Sequence, residues 1–308
     1  MNKIIIGIDV GGTNTKCGLV DARGQVIERA RVDTRKYISK KSLLFSAIVD
    51  TVLSLIQKSP GGRSGVLGVG MGLPGLIDTE KGLVKILPNI PGWRNVPLKR
   101  MMEDKLGLPT RIENDVNLIT LGEWKYGAGV GCRNLVCMTL GTGVGSGLIL
   151  DNRLYRGEGF AAGEIGHMPL ERKGPPCNCG GFACFERYVG NTVLLKKARK
   201  LFRDETMTLE QVSCLASRKD PRALAFWRET AVMIGDALTG VVNLLNPRMI
   251  IIGGGVANAH RFLFKTVSDT IRARAMTVQG AMFKIKRARL GDDAGLIGAR
   301  VLVDNPDF

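Results

Sequence analysis

The sequence predicts an α/β protein. Three observations predict it: strand-like and helix-like segments alternate along the chain, a strand–glycine turn–strand hairpin near the start recurs near the middle, and three glycine clusters each follow a strand. The chain of 308 residues is long enough for one large or two ordinary domains with ample core, and 44% apolar and 23% charged residues are the balance of a soluble globular protein.

The elements follow in order. "IIIGIDV" is a strand, "GGTNT" a tight turn, "KCGLV" a returning strand, and "DARG" turns into a third strand, "QVIERARV". Apolar residues at helical spacing predict a helix over 43–57, stopped by "PGG". "VLGVGMGLPG" is a buried strand running into a loop, and 97–107 is a helix started by Pro97 and ended by Gly107. "TRIEN" is a short strand, and Asp115 is the first residue or N-cap of the helix that follows it. Further helices are expected over 191–203, 208–217, 221–246, along "RFLFKTVSDTIRAR" and along "AGLIGARVLV", with strands at 247–256 and "FKIKRARL". The echo of "GIDVGGTNTKCGLVDARG" in "MTLGTGVGSGLILDNR" suggests two lobes with a nucleotide between them. Two unrelated hairpins using common turn chemistry explain the echo equally well.

Lys and Arg exceed Asp and Glu by 44 to 28, so the surface should attract anions. Basic residues cluster at Arg29, Arg31, Arg35, Lys36, Lys40 and Lys41, and again at Lys196, Lys197, Arg199, Lys200 and Arg203, the second run reading as the solvated face of a helix. No run reaches the roughly 18 apolar residues of a membrane span. The start lacks the features of a signal peptide, so a cytoplasmic protein is expected. Cys17, Cys132, Cys137 and Cys214 are scattered and are expected to be buried thiols.

Three groups of residues carry chemistry. Asp9, Gly11, Gly12 and Thr13, with Thr15 and Lys16 beyond, join an acid at a strand end to a turn of backbone N–H groups that phosphate oxygens can approach. Asp9 is a candidate holder of Mg²⁺, directly or through water. "GTGVGSG" (141–147) and "GGG" (253–255) add two more such turns, and none is a Walker loop or a dinucleotide fingerprint. Glu113-Asn114-Asp115 puts a carboxylate where a strand meets a helix, as a general base for an alcohol, as a plain N-cap, or as both. Cys177, Cys179 and Cys184 form C-x-C-x₄-C with His167 ten residues upstream, a Cys₃His set that fits a closed, structural zinc site.

Together, "DVGGTNTKCGLVD", "LGTGVGSGLI", "IIIGGGV", "ENDVN", "AAGEIGHMPL" and "CNCGGFACFE" resemble the ROK family, specifically its bacterial glucokinase-like sugar kinases, along essentially the whole chain. Phe182-Ala183 departs from the glycine-containing pair common before the third cysteine. The resemblance implies an actin-like (ribonuclease H-like) two-lobed ATPase fold with a nucleotide and sugar cleft. Residues 1–115, completed by a C-terminal helix over 293–308, would form the small lobe, and 116–292 the large lobe with the zinc segment. It implies Mg²⁺-dependent transfer of phosphate from ATP to the 6-hydroxyl of a hexose, most readily glucose, with N-acetylglucosamine, N-acetylmannosamine and mannose as alternatives. Asp115 would be the base. Asn114, Glu164, His167 and Glu186 would hold sugar hydroxyls, with Gly75 and Asn89 nearby, and His167 would share itself between zinc and sugar. Gly11, Gly12, Thr13, Thr142, Gly143 and Gly254 would bind the nucleotide. The family's habit implies a homodimer or dimer of dimers, with no specific nucleic acid and no membrane partner.

Two other readings compete. Repressors of the family carry a winged helix-turn-helix ahead of the kinase-like part, and none is expected here with the first-loop aspartate at residue 9. Inorganic polyphosphate would suit the basic surface as donor, but polyphosphate-using relatives typically lack the cysteine cluster.

Overall fold

The computed structural model describes residues 3–37, 40–88 and 90–305. It divides into two compact units: Met1–Gly131 with Arg153–Ala162 and Arg289–Phe308, and Cys132–Asn152 with Gly163–Ala288.

Unit 1 is built on β1 (Ile4–Val10), β2 (Asn14–Val20), β3 (Val26–Asp33), α1 (Lys41–Lys58) and β4 (Val66–Leu73). A small three-stranded sheet, β5 (Leu76–Asp78), β6 (Leu83–Ile86) and β7 (Arg94–Val96), is followed by α2 (Leu98–Leu106), β8 (Thr110–Asn114) and α3 (Asp115–Lys125). The main sheet runs β3-β2-β1-β4-β8, antiparallel through the first three strands and parallel from β1 to β8. Strand alternation sorts its faces. Ile4, Ile6, Ile8 and Val10 enter one core with Leu44, Ile48, Val52 and Leu55 of α1 and Met102 of α2. The opposite face carries Gly7 and Asp9 and receives α10 (Ala294–Asp304), whose Leu296 backbone lies against Gly7. Helix α3 packs on α10, so the unit runs past residue 115 to Gly131.

Unit 2 repeats the plan. β9 (Leu135–Leu140) and β10 (Val144–Leu150) form an antiparallel hairpin. After the short strand β11 (Arg153–Tyr155), whose residues belong to unit 1, unit 2 resumes with α4 (Glu186–Val189), α5 (Asn191–Phe202), α6 (Leu209–Ser217) and α7 (Pro221–Leu245). Then follow β12 (Met249–Gly253), α8 (His260–Arg274), α9 (Thr277–Met282) and β13 (Lys284–Arg287). Four consecutive strands run β10-β9-β12-β13, with β9, β12 and β13 parallel, the same order and directions as β2-β1-β4-β8. The repeated hairpin is therefore a repeated sheet rather than a coincidence of turns.

Local signals explain the helix limits. Asp220 caps α7 through the Arg222 and Ala223 N–H groups at 2.9 and 3.1 Å, Pro221 opens it, and left-handed Asn246 closes it. One face of α7 buries Phe226, Trp227, Ile234, Leu238 and Val242 in the core of the unit, with α8 as its main neighbour. Each such apolar side chain of Ile, Leu or Val size contributes roughly 1.5–3 kcal/mol. Three cysteines expected to be buried are so, but Cys214 is exposed on the solvent side of α6. Helix packing buries only one stripe of α6, through Leu209, Val212 and Ala216. Among the described residues, no helix is long and apolar enough to cross a membrane.

Candidate active site and metal centre

Unit 1 carries the predicted base and the first phosphate turn. Asn114, the last residue of β8, is the N-cap of α3: its Oδ1 accepts from the Val116 and Asn117 N–H groups at 2.9 and 3.1 Å. Its Nδ2 donates to the Gly75 carbonyl at 3.1 Å. Asp115 is the first helical residue, and its Oδ1 also accepts from Val116 N–H at 2.9 Å. The capping task thus falls mainly to Asn114, and Asp115 begins the helix beside the positive end of its dipole. Asn89 lies outside the described residues.

Behind this junction lies a network that motif reading missed. Glu113 is 1% exposed. Its Oε1 accepts from Asn114 N–H at 2.8 Å and Asn117 Nδ2 at 3.0 Å, and its Oε2 accepts from Arg156 Nε at 2.7 Å. Arg156 lies 43 positions away and in no recognised motif, so only its charge could have hinted at the pairing.

At the β1–β2 turn, Gly12 and Thr13 are exposed and Gly11 is half-buried. Gly11 N–H donates to Asn14 O at 3.0 Å, closing the turn. Thr15 is placed differently from Thr13: it is fully buried and its hydroxyl shares a 3.0 Å hydrogen bond with Thr34. Asp9 is Lys16's partner across the strands, and Gly295 in the first turn of α10 abuts its carboxyl group. Desolvation pushes the Asp9 carboxyl above the usual range; Lys16 pulls it back and Asp292 adds to the rise. Lys16 Nζ itself donates to the Asp292 carbonyl at 3.0 Å.

Unit 2 carries the other turns and the cysteine cluster. Thr142 is exposed at the tip of the β9–β10 hairpin, which the Gly141 N–H closes on Gly143 O at 2.9 Å. Gly254 follows β12 and lies against the Leu140 backbone at the end of β9. Glu186 opens α4, and its Oε2 accepts from Val144 N–H at 2.9 Å. The stretch "GEIGH" lies flat along β10. A Cβ at Gly163 would stand 2.5 Å from the Ser146 carbonyl oxygen, and one at Gly166 would collide with that of Val144. Glycine at these two positions lets the backbone approach, which fixes the exposed Glu164 and half-buried His167 between and beyond them.

His167 Nδ1 stands 3.6 Å from Cys177 Sγ, and Cys179 and Cys184 Sγ are 3.6 Å apart; all four ligand atoms lie within 4.8 Å of one another. Tetrahedral zinc with bonds of about 2.3 Å to sulfur and 2.0–2.1 Å to nitrogen requires edges of about 3.6–3.8 Å. The residues fit that ion. Cys184 is buried and its thiol is pushed up to about 12, by burial first and Cys179 second. The Gly181 backbone, then Cys177 and Cys184, lower the exposed Cys179 thiol. Thiolate ligation by a divalent metal resolves that competition for protons. His167 Nε2 faces the other way, 3.8 Å from Glu164 Oε2. Ala183 takes the left-handed conformation at φ 54°, so the loop keeps a glycine-like backbone without glycine.

The structure thus groups Asn114, Asp115 and Gly75 in unit 1, with Asp9 and Lys16 at its turn, and groups Glu164, His167 and the three cysteines in unit 2, with Glu186 on the Thr142–Gly143 hairpin.

Known proteins resemble this chain along nearly its whole length. The ROK family model matches residues 5–305. The glucokinase of Halalkalibacterium halodurans is 34% identical, with 97% of this chain and 94% of that protein covered. The xylose repressor of Caldicellulosiruptor bescii is 30% identical, over 97% of this chain and 77% of that protein. The crystal structure of a ROK family glucokinase from Streptomyces griseus in complex with glucose and AMPPNP has a TM-score of 0.80 and 31% identity, covering 97% of this chain and 98% of that one. The fold is the α/β, actin-like two-lobed class expected from the sequence. Matched along nearly its whole length by the family model, the chain belongs to the ROK family.

Proposed function

We propose that the protein is an ATP-dependent glucokinase, transferring the γ-phosphoryl group of ATP to the 6-hydroxyl of glucose. The fold alone does not decide this, because a repressor relative matches the same length of chain; the residues of the site support the kinase reading. The observation that carries the reading is the placement of Asp115 as first residue of α3, its neighbour Asn114 pinned to Gly75 and to the helix start. That anchoring gives a carboxylate the fixed geometry a general base needs.

In the reaction the 6-hydroxyl oxygen attacks the γ-phosphorus in line, the bond to the β–γ bridging oxygen breaks, and ADP leaves. The hydroxyl proton passes to the Asp115 carboxylate. Glu164, His167, Glu186 and Asn114 hold the sugar hydroxyls, with Gly75 beside Asn114. The backbone N–H groups of Gly11, Gly12, Gly143 and Gly254, with Thr13, Thr142 and Lys16, receive the nucleotide, since phosphoryl transfer depends on positioning and charge neutralisation. Asp9 would hold Mg²⁺, which would supply countercharge to the phosphates. His167 Nδ1 and the thiolates of Cys177, Cys179 and Cys184 would hold Zn²⁺, leaving His167 Nε2 for the sugar side. A cytoplasmic homodimer is the assembly this reading carries with it, from the family resemblance.

An assay of sugar 6-phosphate formation tests the proposal over glucose, mannose, N-acetylglucosamine and N-acetylmannosamine, with ATP or polyphosphate as donor. Glucose with ATP should give the highest kcat/KM. No turnover of any hexose by folded, zinc-loaded protein would remove the proposal.

A further inference from the structure

The buried pair behind the catalytic junction has a role that the family motifs do not describe. Glu113 is an almost fully buried carboxylate, and a buried charge is retained only when paired and hydrogen-bonded. Arg156 supplies the pairing through Nε at 2.7 Å and its side chain is itself 13% exposed, with Nη2 buried and without a hydrogen-bond partner among the described residues. Glu113 divides its other oxygen between the Asn114 N–H and the Asn117 side chain, one at the start of the α3 junction and one in its first turn. Asn114 in turn caps the helix and bonds Gly75. A continuous chain of contacts therefore runs from Arg156 through Glu113 and Asn114 to the peptide that begins Asp115.

We infer that Arg156 is a positioning residue for phosphoryl transfer, acting through Glu113 to fix the peptide that carries Asp115. The inference rests on the reading of Asp115 as the base. Without the guanidinium, Glu113 becomes an uncompensated buried charge beside the junction and must protonate, rotate or draw in water. Each response alters its bonds to Asn114 and Asn117 and moves the helix start. A displacement of about 1 Å at a reacting group costs about 10²-fold in rate. The loss should fall mainly on kcat, because the base acts on the hydroxyl proton in the transition state, whereas of the side chains that hold glucose only Asn114 lies on this chain of contacts and Glu164, His167 and Glu186 do not. Lysine at 156 retains a cation for Glu113, though it lacks the planar fork of arginine.

Steady-state kinetics of R156M, R156K, E113Q, D115N and D115N/R156M test this, with far-UV circular dichroism, melting temperature and ATP affinity followed in parallel. R156M should lose about 10²-fold in kcat, with glucose KM raised by no more than about tenfold, the value of the one neutral hydrogen bond Asn114 could forfeit. R156K should recover about tenfold of that loss. In the D115N background, R156M should cost nothing further, since a base already removed cannot be misplaced. Additive losses, or R156M at full rate beside a slow D115N, would overturn the role of Arg156 alone. D115N at full rate would overturn the base assignment and this inference with it. If R156M does not fold, E113Q decides: a kcat loss that D115N/E113Q does not deepen supports the inference, and full-rate E113Q overturns it.

Discussion

Glu186 accepts the Val144 backbone N–H at 2.9 Å, tying the first turn of α4 to the hairpin that carries Thr142 and Gly143. One carboxylate therefore serves both the proposed sugar wall and the proposed nucleotide turn. Gly143 has room for no side chain here, because a Cβ would stand 2.5 Å from Glu186 Oε2. Gly143→Ala should push the carboxylate off Val144 and lower kcat/KM for glucose by about 10–100-fold, the value of a charged hydrogen bond, while raising KM for ATP. Steady-state kinetics with each substrate varied in turn checks it; a rise in one KM alone would break the link.

The cysteine cluster should hold one divalent metal per chain, measurable by elemental analysis. Cys184→Ser or chelation should lower the melting temperature and weaken glucose binding more than nucleotide binding, because His167 and Glu164 follow directly from the metal segment. Metal-free protein that binds glucose at full strength would separate the clip from the sugar site.

Asp9 makes a pH-dependent prediction. Its folded-state pKa is raised above the ordinary 3.8, chiefly by desolvation. Below that value the carboxyl is protonated in folded and unfolded chains alike and costs nothing. As pH rises, the unfolded chain releases the proton first, so stability falls until the folded group has also ionised. Asp9→Asn should therefore raise the melting temperature of the nucleotide-free protein at pH 8, with the gain vanishing toward pH 3–4, and should weaken Mg²⁺-nucleotide binding. Melting curves at the two pH values read the sign; a gain largest at acidic pH would contradict it.

Thr13 and Thr15 separate stability from binding. Thr15→Val leaves Thr34 with a buried unpaired hydroxyl and should cost about 1–3 kcal/mol of stability with KM for ATP unchanged. Thr13→Val, at the exposed turn, should do the reverse. Chemical denaturation and ATP kinetics on the two variants distinguish them.

The spacing of residues made much of this visible before any coordinates. Apolar periodicity located α1 and α5–α8, and the strand–glycine–strand echo anticipated the repeated sheet, because both signals are local. The three-stranded sheet β5–β7 was missed, its strands being only three or four residues long and separated by connections that contain Gly and Pro. Thr13 and Thr15 look interchangeable as phosphate donors in sequence, yet Thr13 lies in the exposed turn before β2 while Thr15 lies within β2 on its buried face. The Glu113–Arg156 pair was invisible for a different reason: two ordinary charges 43 residues apart acquire meaning only when folding removes both from water.

The central claim is that Asp115 takes the proton of the sugar hydroxyl as ATP phosphorylates glucose, and the most direct test is turnover and glucose affinity of Asp115→Asn measured side by side. The account predicts glucose binding within about twofold of the parent and a kcat lower by roughly 10²–10⁴-fold. Full turnover in Asp115→Asn would contradict it.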